Sequence, residues 1–183
     1  MSSAAAPALS TAAKIATAVD YKDKGNALFR AGEFKSAVKQ YRFAFLYSKG
    51  LIAVDDASMA MYVNEDDKLS RGQTDSVKDL NRTIYSNLSA CYLKMGAFDR
   101  ALENANHALQ IKKDDPKSLL RKGQACIALK EWKWAKDALT AALEIEPHNS
   151  AIISALKDWK NQYAQWTQDQ KQKEIETFGG KLL

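Results

Sequence analysis

Lys22 and Asn26 lie one helical turn apart, as do Lys117 and Arg121, and Asn87 falls at a corresponding place in the stretch between the two pairs. Three of the five are cations, two are amides and none is a carboxylate. Lysine and arginine neutralise carboxylates, arginine with two parallel hydrogen bonds, while an asparagine amide donates to a carboxylate and accepts from a peptide N–H. Brought around one cavity, such a set suits a free C-terminal carboxylate with an acidic side chain beside it, because that ligand offers two anionic heads at the end of an extended chain. Phe29, Ala90, Leu93 and Gln124 occupy neighbouring positions and are expected to meet the ligand's apolar side chains.

Catalytic chemistry needs convergent titratable groups, and the sequence offers none. His107 and His148 fall on different elements, without a cysteine or carboxylate at a ligand or catalytic spacing, and are expected at the surface. Cys91 and Cys126 follow the packing pattern of buried helix positions and have neither metal spacing nor the density of a secreted disulfide scaffold, which points to a reducing compartment. There is no glycine-rich phosphate loop and no metal motif, so no cofactor is expected. Trp132, Trp159 and Trp166 are expected to be structural, with Trp134 partly exposed.

The elements that must position the five polar residues are helices. Eight glycines and three prolines among 183 residues are too few for the turns of an all-β sandwich, and 46% apolar with 27% charged residues describes a folded chain too short for a two-domain enzyme. A net charge of +5 and a pI near 9.1 favour an anionic partner. The basic residues are not interleaved with aromatics along one helix, so nucleic acid is not the expected one. No apolar run approaches a membrane span, and the Ala/Ser/Thr-rich start lacks the pattern of a signal peptide; a soluble, cytoplasmic protein, with the nucleus as a second compartment, is expected.

The helices repeat. A small residue at Gly25, Ser89 and Gly123 is followed twelve positions on by Ala37, Ala101 and Ala135, and seven further by Ala44, Ala108 and Ala142. Between them stand Gly32-Glu33-Phe34, Gly96-Ala97-Phe98 and Lys130-Glu131-Trp132, a turn followed by an aromatic. Two antiparallel helices approach closely only where both carry small side chains, so Gly25 against Ala37 and Gly123 against Ala135 are expected to mark the crossings. One hairpin cannot cover its own apolar faces, whereas three stacked hairpins bury a continuous core and leave a concave surface. The spacing predicts repeats at 18–51, 82–115 and 116–149, interrupted by an insertion at 52–81. A flexible tail is expected at 1–17, giving way to helix after Ser10. Within the insertion a short helix is expected around 57–62, and Thr74 is expected to cap a helix through Met95 with Val77, Leu80, Ile84, Leu88 and Cys91 at helical spacing. After Pro147, Asn149 should cap a helix over 150–178 that seals the array and projects its polar C-terminal half into solvent, ahead of a mobile tail at 179–183.

At these residues the chain resembles the tetratricopeptide repeat family, whose 34-residue unit has this small-residue, alanine and aromatic signature. The resemblance implies an all-α, right-handed solenoid of three helix-turn-helix repeats plus a capping helix. Lys22, Asn26, Asn87, Lys117 and Arg121 resemble, position by position, the dicarboxylate clamp of tetratricopeptide co-chaperones, which grips the C-terminal Glu-Glu-Val-Asp of heat-shock proteins 90 and 70. The expected function is therefore a non-enzymatic adaptor for that peptide, with a second protein client possible; the alternative is a general scaffold recognising an internal segment of some other partner. The long insertion and the polar final helix resemble the tetratricopeptide repeat protein 9 family and the repeat domains of large immunophilins.

Overall fold

The computed structural model describes residues 9–49, 51 and 69–179, and among these every element is a helix: α1 (Thr11–Arg30), α2 (Phe34–Lys49), α3 (Arg71–Lys94), α4 (Phe98–Ile111), α5 (Pro116–Ala128), α6 (Trp132–Ile145) and α7 (Ser150–Gly179). Consecutive helices pair as hairpins, α1 with α2, α3 with α4 and α5 with α6, and α7 packs on α5 and α6. The first helices of the hairpins also touch one another, α1 against α3 and α3 against α5. That crowding puts α1, α3 and α5 on the inner side of the curve.

Local chemistry sets the boundaries. Asp115 caps α5 by accepting from Ser118 N at 2.9 Å, with Pro116 at the first helical position, where its missing N–H costs nothing. Asn149 Oδ1 accepts from Ala151 N at 2.9 Å at the start of α7. Two expected boundaries move. The first helix begins at Thr11, capped by Ser10, which agrees with a helix after Ser10; Thr11 is itself buried, so the repeat boundary at 18 moves back to include 11–17. The cap of α3 is Ser70, not Thr74: Ser70 and Gln73 form a reciprocal capping box, and the Thr74 hydroxyl donates back to Ser70 O inside the helix. Residues 71–81 thus extend the second repeat's first helix, where Val77 and Leu80 are buried. Across the interruption Ser48 on α2 and Asn81 on α3, both buried, share a hydrogen bond. The helix expected around 57–62, and the acidic Asp55, Asp56, Glu65, Asp66 and Asp67, lie outside the described residues.

The close crossings occur one turn beyond the expected alanines. A Cβ on Gly25 would stand 2.6 Å from the Tyr41 ring, and one on Gly123 would stand 2.4 Å from Leu139. Ala37 and Ala135 are fully buried alongside, but the missing side chains make room for Tyr41 and Leu139, both completely enclosed. In the second repeat Ser89 does meet Ala101, donating to its carbonyl at 2.8 Å.

The three hairpin turns need a left-handed residue. Gly32 (φ 80°) and Gly96 (φ 72°) supply it without strain, whereas the third turn uses Lys130 at φ 61°. A Cβ in that region costs about 1–2 kcal/mol. Lys130→Gly is therefore expected to stabilise the fold by about 1 kcal/mol, seen as a higher urea midpoint at unchanged slope. A midpoint that stays put or falls would show that the Lys130 side chain compensates the strain.

Candidate functional site

On the inner side, α1, α3 and α5 enclose a hollow of about 150 Å³, lined by Asn26, Phe29, Arg30, Tyr41, Asn87, Ala90 and Arg121. Three of the five polar residues singled out from the sequence meet here, together with Phe29 and Ala90 of the four candidates for the ligand's apolar side chains. Lys22 and Lys117 do not line the hollow. Each sits one turn ahead of Asn26 or Arg121 on its helix, hence toward the same rim. Leu93 and Gln124 are not among the lining residues either.

The amides are held in a fixed orientation. Asn26 Oδ1 accepts from Tyr41 Oη at 2.8 Å and from Asn87 Nδ2 at 3.0 Å. With its acceptor doubly used, Asn26 presents its NH2 group outward, where Asp23 Oδ1 takes it at 3.3 Å. The same Asp23 oxygen lies 3.2 Å from Lys22 Nζ. Two of the five groups thus already share a carboxylate, and that carboxylate is mostly exposed and displaceable.

Arg121 is anchored from behind. Its Nη1 donates to Ser86 Oγ, Ser86 Oγ is hydrogen-bonded to Ser118 Oγ at 2.9 Å, and Ser118 is bonded in turn to the Asp115 carboxylate. Asp115 Oδ1 also accepts from Arg82 Nη1 at 2.7 Å. This chain runs from the hollow through the α3–α5 seam, and Ser86, Ser118 and Asp115 are all buried. Burial lowers the guanidinium's pKa from its ordinary value, and Asp115 opposes that shift. Among the described residues no carboxylate lines the hollow, so Arg121 and Arg30 face it without a counter-ion from those residues on its wall.

Tyr41, Arg30 and Ser86 are the residues that sequence reasoning missed. Ser86 occupies the repeat position that Lys22 holds in the first repeat, and Arg30 lies one turn past Asn26; both signals were present. Tyr41 comes from the second helix of its hairpin, and only the absent side chain of Gly25 lets its ring through.

Burial, the leading cause in each case, pushes the Tyr41 hydroxyl up to about 12, the Cys91 thiol to about 11 and the Cys126 thiol to about 12, with Glu131 reinforcing the last. The folded values exceed the unfolded ones. Below about pH 9 all three groups keep their protons in both states; above it the unfolded chain releases protons that the fold retains, so stability is lost as pH rises from about 9 to about 12. Urea midpoints measured upward from pH 8 should fall through this window, and a flat profile would contradict the assignment.

The other sequence candidates disperse. His107 stacks on Tyr85 at 5.0 Å on the outer side, and His148 is exposed. Cys91 and Cys126 are free and buried, as the packing pattern implied. Among the described residues no group of His, Cys, Asp or Glu could hold a metal ion, and no helix is long and apolar enough to cross a membrane.

Comparison with known proteins agrees with this architecture. The tetratricopeptide repeat family model matches residues 92–158. Peptidyl-prolyl cis-trans isomerase FKBP4 of Bos taurus is 26% identical over 148 residues, 81% of this chain and 29% of its own length. The Hsp70/Hsp90 co-chaperone CNS1 of Saccharomyces cerevisiae is 30% identical over 170 residues, 91% of this chain and 37% of its own. The chain thus spans well under half the length of either relative. Among solved structures, the C-terminal tetratricopeptide domain of a Plasmodium falciparum FK506-binding protein superposes with a TM-score of 0.71 at 22% identity, covering 87% of this chain and 97% of that one. The first repeat domain of Spaghetti (RPAP3), solved with the HSP90 peptide SRMEEVD, gives 0.62 at 21% identity over 82% and 95%. Three stacked hairpins closed by a seventh helix are the tetratricopeptide repeat fold, and this chain is homologous to the repeat regions of these relatives.

Proposed function

We propose that this domain is a co-chaperone adaptor that binds the acidic C-terminal peptide of heat-shock protein 90 or 70 in the hollow between α1, α3 and α5, without catalysis of its own. The observation that carries this reading is the cavity onto which Arg121, Asn26 and Asn87 converge from three repeats, with no carboxylate among the described residues that line it. Arg121 is the bidentate partner for a terminal carboxylate, the two amides fix its orientation, and Lys22 and Lys117 at the rim take the adjacent acidic side chain. Phe29 and Ala90 offer an apolar wall to the penultimate valine. Asp23, already bonded to Lys22 and Asn26, holds part of the ligand's place until it is displaced. The name of CNS1 and the HSP90 peptide in the Spaghetti complex support the same partner class. Such a partner places the protein in the cytoplasm, with the nucleus open to it.

Calorimetric titration with the pentapeptide Met-Glu-Glu-Val-Asp tests this directly. The free acid should bind, and the C-terminal amide should bind at least about tenfold more weakly, because one anionic head is gone. Equal binding of both would favour a scaffold that recognises internal segments.

A further inference from the structure

At the far end of the array, away from the hollow, α6 and α7 form a groove of about 440 Å³ lined by Trp132, Lys133, Lys136, Trp159, Tyr163 and Trp166. The four aromatics form one network: Trp159 stacks on Tyr163 at 5.4 Å, Tyr163 on Trp166 at 5.9 Å, and Trp132 meets both Tyr163 and Trp166 at 5.9 Å. Tyr163 is 39% exposed, and from there to Thr177 only Trp166, Thr167 and Gln170 are even partly covered, so α7 runs on into solvent as the sequence suggested. Trp132 and Trp159 pack against the core as expected of structural residues, and with Trp166 they also wall an open groove. Its volume is in the range of about 300–1,000 Å³ typical of ligand pockets. Trp132 Nε1 is buried with no acceptor among the described residues, and Trp159 Nε1 donates to Trp132 O at 2.9 Å.

The charge on the groove is one-sided. Among the described residues Lys133 and Lys136 are its only charged lining residues, both are exposed, and Lys136 Nζ stands 5.8 Å from the Trp159 ring centre. We propose that this groove is a second docking site, for an acidic peptide segment carrying an aromatic side chain. The aromatic side chain would stack in the Trp159–Tyr163–Trp166 wall, and flanking carboxylates would pair with the two lysines. A single-stranded nucleic acid would need a longer run of cations than this pair provides.

Three of the four tryptophans line the groove, so intrinsic fluorescence of the whole chain reports its occupancy. The probe is acetyl-Asp-Glu-Phe-Glu-Asp-amide, which has no free terminal carboxylate for the α1–α3–α5 hollow. Saturable change in tryptophan emission is expected. It should weaken at least about tenfold when Phe is replaced by Ala in the probe, and equally in Lys133→Glu/Lys136→Glu, while Arg121→Ala leaves it unchanged. Absence of binding, or binding indifferent to both the Phe and the lysines, overturns the proposal without touching the hollow. So does either rival occupant: oligothymidine binding with the same lysine dependence while the peptide does not, or a concentration-dependent dimer in sedimentation that Trp166→Ala abolishes.

Discussion

Replacing Arg121 by alanine is expected to weaken binding of a free-acid Glu-Glu-Val-Asp peptide by about 2–5 kcal/mol, roughly thirtyfold to a few thousandfold, with helicity unchanged. Arg121 is the one cation singled out from the sequence that lines the hollow, and the chain through Ser86 and Ser118 to Asp115 holds its guanidinium in place before any ligand arrives. A pre-oriented donor loses little freedom on binding, so most of its attraction survives as affinity. Arg121→Lys should recover only part of the loss, because an ammonium keeps the charge but not the parallel pair of hydrogen bonds. Lys22→Ala and Lys117→Ala should cost less, on the order of 0.2–1 kcal/mol each, and their effects should shrink with added salt, as expected of groups at the rim. Calorimetry on the four variants gives the ranking. Wild-type affinity in Arg121→Ala would remove the hollow as the carboxylate site.

Asp115→Ala should be the most damaging of the predicted changes to stability, at roughly 2–5 kcal/mol. The carboxylate does two things at once. It caps α5 through Ser118 N, worth about 0.5–2 kcal/mol, and it accepts a charge-assisted hydrogen bond from Arg82, worth about 1.5–3 kcal/mol. Its side chain is only 8% exposed, so water cannot replace either bond cheaply. Arg82 keeps Asp79 at 2.8 Å, which prevents a stranded cation and bounds the loss. Asp115→Asn separates the two roles, since asparagine still caps but carries no charge; urea denaturation should place it between wild type and alanine. Because Asp115 ends the chain that anchors Arg121, Asp115→Ala should also weaken peptide binding under conditions where the variant is fully folded. A variant as stable as wild type would show that the α3–α5 seam does not depend on this residue.

How much of this was readable in advance depends on how local each cause is. The three hairpins were, because their small residues, alanines and turn aromatics recur at intervals set by helix geometry alone. Asn26, Asn87 and Arg121 were readable for the same reason. Lys22 and Lys117 were grouped with them because a helix face is defined by angle, and an angle says nothing about how far along the axis a cavity extends. The hollow is lined by Asn26, Phe29 and Arg30 on α1 and by Arg121 alone on α5, so Lys22 and Lys117, one turn earlier, fall outside its wall. The start of α3 at Arg71 was misplaced because Thr74 was read as the cap, whereas Ser70 and Gln73, at capping-box spacing, form the reciprocal pair.

The amino-acid order by itself determined the helical class, the 34-residue repeat, the chemical character of the inner face and the absence of a recognisable catalytic motif, since each depends on residue type and short-range spacing. Folding decided which groups touch. Tyr41 reaches Asn26 because Gly25 leaves room for its ring, and Asp115 meets Arg82 from 33 residues away. The aromatics of α6 and α7 close into one groove only when the seventh helix docks. These pairings join residues distant in the chain through side-chain volume and direction, quantities that no periodicity encodes.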